Sequence, residues 1–569
     1  MPIPDSGLAF LPQERRRCNR WQKKVLFVDI LYSLVKQITK GETMLRAARR
    51  GLAMLCLAAS ICVSGATVAA DLKIGFKAEV TSADPHVLNG ANRNIWAHVY
   101  DSLVAQDHQL RPKPSLALSW RMVNPTTWEF KLRPNVKFTN GAALTADDVK
   151  YSIDRAMGLS GPRTFRSYLK DVESVSVTGP LLLQVKTKRV SPTLPENVGL
   201  IAILPKSLGD TVNEESFANG KSAIGSGPYK FATWAHGQSL TLAKNPDYWG
   251  DKEPWDKVTF QFIPREPARA AALLSNSVDI INDITSNMEA SFRNYQLASI
   301  TSYMLNYLAL DQSRDVSPYI KGDDDKPLAK NPLKNPKVRQ ALMTAINRDG
   351  IIKFLMKDDA TAAIQLVPKG FFGYDPALKL PAYDLAKAKA LLAEAGYQSG
   401  FNLTIHCPNN RYINDAKLCE AVAQVFSQIG IKTGVSTMPY SVFQTRAFGG
   451  GPNGEPEFSV FLVGNGAVTG DSLTGLVSSV HSFDKAKVTG VSNYGRYSNK
   501  EVDDLIDKAA ATTDEKAREQ LQQKAASLAL NDGAIIPLLH LNSAWAMKKT
   551  LTITPRADGF TMAMDIRPK

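Results

Sequence analysis

Short apolar stretches of period two recur along most of this chain, and helices with their own start signals separate them. Trp128, Phe130 and Leu132 alternate with polar neighbours, as do Leu181, Leu183 and Val185, and Leu240 with Leu242. Val258, Phe260 and Phe262 repeat the pattern, and so do Phe401, Leu403 and Ile405. Successive side chains of a strand point to opposite faces, so this spacing predicts half-buried strands. Thr145 stands three residues before Asp148, a variant capping box, with Val149 and Ile153 on one helical face. Asn335-Pro336 opens a helix with Val338, Ala341, Leu342, Ala345 and Ile346 inward; proline at the first helical position loses no hydrogen bond. Asp384 starts a helix that Gly396 ends, and Asn499 another with Val502, Leu505 and Ile506 on its apolar stripe. Strands and helices interleaved in this way predict an α/β protein. No internal repeat is visible. The acidic stretch Lys321-Gly-Asp-Asp-Asp-Lys326, followed by Pro327 and Pro332, reads as a solvated linker between lobes.

The first seventy residues are not read as fold. Arg46, Arg49 and Arg50 follow Met44 and precede an apolar run of about 14 residues, below the roughly 18–20 that span a bilayer. Val68 and Ala70 then stand where a secretory peptidase reads small residues, so 44–70 is a signal peptide and the mature chain starts at Asp71. Residues 1–43 would bury that signal inside the chain; they read as a non-native upstream extension, with translation starting at Met44. Cys56 and Cys62 lack the context of a lipid attachment site. Export then leaves Cys407 and Cys419, at the end of a strand and about a turn into the next helix. They read as one disulfide rather than a metal site, with two packed free thiols as the alternative.

Charge and motifs exclude more than they suggest. The formal net charge is +14, but residues 1–70 hold 11 Lys and Arg against 4 Asp and Glu, half of the excess. No basic cluster with interleaved aromatics occurs in the rest, so no nucleic-acid partner is expected. Gly449-Gly-Gly-Pro-Asn-Gly454 has dinucleotide-loop spacing yet leads into the strand Phe458–Val463, where such a loop should open a helix. Gly220-Lys221-Ser222 has the tail of a phosphate-binding loop, but Glu215 stands where its first glycine belongs. No HExxH, Gly-x-Ser-x-Gly or paired CxxC is present. Histidines 86, 98, 108, 236, 406, 481 and 540 are scattered without an i, i+4 pair. No catalytic residue, metal site or cofactor is therefore assigned.

A series of collinear blocks carries a family resemblance. They are Ala117–Trp120, Trp128–Gly141 (Trp-Glu-Phe-Lys-Leu-Arg-Pro-Asn-Val-Lys-Phe-Thr-Asn-Gly), Thr145–Arg155 and Gly225-Ser-Gly-Pro-Tyr-Lys-Phe231. Lys244-Asn-Pro-Asp-Tyr-Trp-Gly250, Asn335–Leu342 with Ala345–Arg348, Tyr383–Tyr397, Asn493–Asn499 and Ile535-Ile-Pro-Leu538 follow in order. Together they cover nearly all of residues 71–569, and the chain resembles the family 5 extracytoplasmic solute-binding proteins of dipeptide, oligopeptide and nickel ABC importers. The resemblance implies a two-lobed periplasmic-binding-protein-like type II fold, with an extra inserted lobe and a hinged inter-lobe cleft. It maps lobe Ia to 71–110, 222–310 and 537–569, lobe Ib to 111–221, and lobe II to 311–536.

Ligand contacts are expected in lobe II. Peptide-binding relatives place an arginine at the position of Arg411, in Pro408-Asn-Asn-Arg-Tyr-Ile-Asn414-Asp415, where it pairs with the ligand carboxylate. The guanidinium fork suits that role; the alternative is an ion pair with Asp415. Dipeptide binders carry an aspartate for the ligand amino group in the segment matching Val463–Asp471. Here that position falls on Val468 or Thr469, while Asp471 matches a later acid, which departs from dipeptide binding. Asn414, Asn465, Asp471, Asn493 and Arg496 complete the candidate ligand-binding set, with loop capping as the competing role of Asn465, Asn493 and Arg496. The resemblance implies a monomeric receptor in the periplasm of a Gram-negative bacterium, not an enzyme. Its partners would be a peptide-like or other small polar solute with an anionic group and the membrane permease of an ABC importer. A secreted two-lobed hydrolase and a nickel or metal-chelate receptor are the alternatives.

Overall fold

The structure is a computed structural model and describes residues 70–160 and 164–569. The upstream extension 1–43, and the signal peptide read over 44–70 except Ala70, lie outside the described residues.

A twelve-stranded sheet organises the described chain. In the first half, Asp71–Phe76 runs parallel to Lys257–Phe262 on one side and to Ile280–Asn282 on the other. Antiparallel strands Ser239–Lys244 and Tyr229–Ala235 extend that edge. Leu72, Ile74, Leu240, Leu242, Val258 and Phe260 form the core beneath, as their period-two spacing requires. A separate antiparallel sheet orders Ala117–Asn124, Thr127–Leu132, Leu182–Thr187 and Val172–Gly179. Its Phe130, Leu183 and Val185 pack on Val149 and Ile153 of helix Ala146–Gly158. The Asp148 carboxylate starts that helix by accepting from the Thr145 backbone N–H at 2.8 Å.

In the second half, Asn402–Pro408 lies between the parallel strands Lys432–Met438 and Val460–Gly466. Alternate residues feed two cores. Ile405, Val460 and Leu462 face Leu418, Val422 and Phe426 of helix Asp415–Gln428. Phe461 and Val463 face Phe443, Val502, Ile506 and Ala525. Asn335, Asp384 and Asn499 cap helices Pro336–Ala345, Leu385–Glu394 and Lys500–Ala511, and Gly396 takes the left-handed conformation, φ +86°, just after the second of these.

Two long antiparallel strands, Gln296–Leu310 and Ile536–Met547, join the halves. Residues 296–301 pair with 542–547 beside Ile280–Asn282, while 305–308 pair with 536–540 beside Val460–Gly466. The register shifts between Thr301 and Leu305, and Ser302 Oγ fills the gap by donating to the Leu541 carbonyl at 2.8 Å. A bulge bends and twists a strand, so this break bends the crossing strands where the halves meet.

The acidic stretch does not link the lobes. Lys321–Lys326 is a turn on the edge of the second half, closed by Gly322 N–H to the Lys326 carbonyl and docked by Asn402 Nδ2 on the Gly322 carbonyl. Its acidity and flanking prolines mark exposure, which a surface turn shares with a linker. Among the described residues no helix is long and apolar enough to cross a membrane.

Candidate ligand-binding cleft

Strand Asn402–Pro408 delivers its chain at the carboxyl end of the parallel strands, where open α/β sheets bind ligands. The following loop is held at several points. Asp415 Oδ2 accepts from the N–H groups of Arg411 at 2.8 Å and Tyr412 at 3.1 Å, and its Oδ1 accepts from Ala416 at 2.9 Å. Asn414 adopts φ +55° and donates to the Leu355 carbonyl at 3.2 Å. Cys407 and Cys419 are bonded, with their Cα atoms 6.6 Å apart, which ties the strand to the helix it feeds.

This frame leaves the Arg411 side chain exposed and without a carboxylate partner among the described residues. Asp415 is committed to backbone N–H groups, so an ion pair between the two does not form. The guanidinium lies 4.9 Å over the Tyr440 ring and 5.7 Å from that of Tyr412. Tyr412 in turn accepts from the Gly464 N–H at 2.9 Å. A Cβ at Gly464 would lie 2.5 Å from the Tyr412 ring, so the glycine permits this approach. Burial and the neighbouring Tyr440 push the Tyr412 hydroxyl up to about 12, against the charge of Arg411.

The loop after Val460–Gly466 is spent differently. Asn465 donates to Ser479 Oγ at 2.8 Å and accepts from Gly466 N–H at 2.8 Å. Asp471 caps the next helix by accepting from Leu473 N–H at 2.8 Å and faces Arg518 at 3.8 Å, both side chains being under a tenth exposed. Burial raises the Asp471 carboxyl, and Arg518 opposes the shift. Asn493 donates to the His481 and Tyr497 carbonyls at 3.0 and 2.7 Å and accepts from Tyr497 N–H at 3.1 Å. Arg496 donates to Glu455 at 2.6 Å and to the Asn493 carbonyl at 3.0 Å, and stacks 3.9 Å from the Phe483 ring. The polar atoms of these four residues thus serve the scaffold, and Arg411 is the charged candidate left without a counter-charge among the described residues.

Sequence reasoning also passed over a cation of the first half. Arg93, on helix Gly90–Trp96, lies 5.5 Å from the Phe560 ring, and its guanidinium has no hydrogen-bond acceptor or ion-pair partner among the described residues. The adjoining Asn94 clamps the helix to Thr561, donating to its carbonyl at 3.1 Å and accepting from its N–H at 2.8 Å. The same segment supplies the Ala557 carbonyl that accepts from Tyr303 N–H at 3.0 Å. Tyr303 backs onto Gly466, where a Cβ would overlap the Tyr303 carbonyl. Burial raises the Tyr303 hydroxyl, while both Arg93 and Arg411 pull it back, with Asp558 and Tyr168 also in reach. Direct bonds close the halves nearby: Gln106 Nε2 donates to the Val468 carbonyl and Arg111 to that of Gly370, each at 3.0 Å.

A cavity of about 390 Å³ opens beside Arg93 and Asp558, but no residue of 311–536 lines it, so it belongs to the first half. Among the described residues no group of three His, Cys, Asp or Glu is placed to hold a metal ion. His86, His98, His406 and His540 are held down at about 4, chiefly by burial, and stay neutral.

This is a two-lobed fold whose halves share two crossing strands. The chain belongs to the bacterial extracellular solute-binding proteins, family 5, whose model matches residues 111–487. It is 27% identical to the glutathione-binding protein GsiB of Escherichia coli O157:H7 over 89% of this chain and 95% of that protein. Among solved structures it is similar to HbpA2 of Haemophilus parasuis, with a TM-score of 0.74 and 24% identity over 88% of this chain and all of that one. DppA of Helicobacter pylori in complex with the peptide STSA superposes with a TM-score of 0.70, at 24% identity over 88% of this chain and 98% of that one. NikZ of Campylobacter jejuni in complex with Ni(L-His) does so at 0.70, with 22% identity over 85% and 95%. The protein is accordingly a solute-binding receptor.

Proposed function

We propose that the protein is a monomeric periplasmic receptor that captures a peptide-like solute bearing an anionic group and passes it to the permease of an ABC importer. The lobes are those mapped from the sequence: 71–110, 222–310 and 537–569 as Ia, 111–221 as Ib, and 311–536 as II. One observation carries the reading: bonds to Asp415 hold the backbone at Arg411 at the strand ends, while its exposed guanidinium meets no carboxylate among the described residues. A planar fork of this kind binds a carboxylate through two parallel charge-assisted bonds. The names of the relatives support the solute class, since a glutathione binder and a peptide complex stand among them. Ligand binding then closes the lobes about the break at Thr301–Leu305 without chemistry.

Mass spectrometry under native conditions, on protein offered a pool of di- to tetrapeptides, tests this. Retention of intact peptide is the expected result. Recovery of hydrolysed fragments would make the protein a hydrolase, and retention of nickel in place of peptide would make it a metal-chelate receptor.

A further inference from the structure

One leucine is out of keeping with its surroundings. Strands Val104–Gln106 and Pro112–Pro114 of the first half pair as a hairpin whose tip is Asp107–Arg111. From Ala105 to Pro114 every residue is exposed or half-exposed except Leu110, which is fully buried. Leu110 also holds φ +63°, a left-handed backbone that a bulky side chain rarely adopts and that is strained where it does. The turn enforces it. Asp107 Oδ1 accepts from the N–H groups of Gln109 at 2.8 Å and Arg111 at 2.9 Å, and the Asp107 carbonyl accepts from Leu110 N–H at 3.1 Å. Glycine or asparagine would fit that backbone with less strain, so the reason for a leucine lies in its side chain.

That side chain sits in a socket supplied mainly by the other half. Buried Val367, Phe371 and Ala467 of the second half, with Ala557 of the first, form one apolar cluster with it. Knob and socket are each shaped by bonds within their own half. His108 Nε2 meets Asp565 Oδ1 at 3.0 Å, and the His108 carbonyl accepts from Ala557 N–H at 2.9 Å. On the socket side, Gly470 N–H donates to the Ala467 carbonyl at 2.9 Å, and the Gly470 carbonyl accepts from Phe372 N–H at 3.2 Å. Across the join, Gln106 and Arg111 add one bond each, to the carbonyls of Val468 and Gly370. The approach is close: a Cβ at Gly470 would lie 2.4 Å from the Leu110 carbonyl oxygen. Such a join can part without unmaking either half, and parting it would return Leu110 to water, which opposes the separation. None of these groups belongs to the loop that carries Arg411.

We propose that the hairpin tip is a latch: Leu110 holds the halves together at a point apart from the Arg411 loop, and so sets how firmly a solute is retained without selecting which solute is bound. The retention part rests on the receptor reading above; the latch itself does not. A contact that favours one arrangement of the halves equally for every solute scales all affinities by one factor, the change in the fraction of binding-competent protein.

Single-molecule energy transfer between dyes placed through non-natural amino acids at exposed Ser176 and Lys508 reports the separation of the halves in the full chain. With no solute added, the unaltered protein should show a close population that matches this structure. Leu110→Ala should lower the ratio of close to separated molecules about tenfold or more, and Leu110→Met should keep most of it. Gly470→Ala should act like Leu110→Ala, because its Cβ meets the Leu110 carbonyl. Gly396→Ala, left-handed at φ +86° but with open space around it, should leave the ratio unchanged. In Leu110→Ala and Gly470→Ala, a pool of di- to tetrapeptides followed by mass spectrometry should be retained more weakly by one common factor, with the order of retention kept. An unchanged ratio in Leu110→Ala, or no close population in the unaltered protein, would overturn the latch and leave the receptor reading standing. A changed order of retention would place Leu110 in the solute site and overturn the latch as well. Retention of no peptide by the unaltered protein would overturn the receptor reading, while the transfer ratios still decide the latch.

Discussion

Two loops of the second half start alike and end differently. Each leaves the carboxyl end of a central strand, Asn402–Pro408 or Val460–Gly466, each reaches a helix, and each carries an aspartate at that helix start. In the first, Asp415 organises the backbone and the loop's cation, Arg411, is left over. In the second, Asp471 both caps the helix and balances Arg518, so the loop offers no charge. The lesson is that position beside a cleft does not make a residue a ligand contact; what counts is whether the scaffold has already used its polar atoms.

The sharpest way to break this comparison acts on the spent loop. Asp471→Ala leaves Arg518 buried beside no counter-charge and removes a helix cap. A loss on the order of 3–5 kcal/mol in folding stability is expected, measured by denaturant unfolding. A loss below about 1 kcal/mol would mean that Asp471 is not structural.

Glu196 extends the same cluster from the first half. Burial pushes its carboxyl up to about 7, with Asp471 and Glu515 raising it and Arg518 opposing. The folded protein therefore holds a proton there that the unfolded chain, with an ordinary value of 4.5, gives up earlier. Stability should fall as pH rises from about 4.5 through 7, by roughly 3 kcal/mol at most. In Glu196→Gln that part of the pH slope should vanish from melting curves taken between pH 5 and 8. A slope identical to that of the unaltered protein would remove Glu196 from the cluster.

The disulfide stiffens the loop that carries Arg411. It closes a short segment, so Cys419→Ser should reduce stability by roughly 3 kcal/mol at most. Two equivalents of thiol label on the unfolded, unreduced protein would show instead that no bond is present. The smallest effect belongs to Arg496→Ala. Its pair with a half-exposed Glu455 contributes roughly 1 kcal/mol or less, and peptide affinity should not change.

The sequence made the scaffold legible where one local rule sufficed. Period-two spacing located Thr127–Leu132, Lys257–Phe262 and Asn402–Pro408, and Asn335, Asp384 and Asn499 marked helix starts because their side chains bond within a few residues. Asp471 illustrates the limit: in sequence it reads as a ligand-contact candidate, while its cap on Leu473 N–H and its counter-charge Arg518, 47 residues on, appear only in the fold. Arg93 left no signal at all. It sits on a seven-residue helix capped by Asn89, and its ring contact is with Phe560, near the other end of the chain. The acidic turn at 321–326 was misread for the converse reason, since local composition reports exposure and not connectivity.

The central claim is that the loop after Asn402–Pro408 carries the ligand's anion, and calorimetry on Arg411→Ala tests it most directly, using a peptide retained by the unaltered protein. Removing one partner of a desolvated pair costs on the order of 2–5 kcal/mol, or roughly 30-fold to several-thousandfold in affinity. That loss is expected with the melting temperature nearly unchanged, because the exposed Arg411 guanidinium pairs with no carboxylate among the described residues and touches only the neighbouring Tyr412 and Tyr440. Unchanged affinity, or a loss that only accompanies a lower melting temperature, would contradict it.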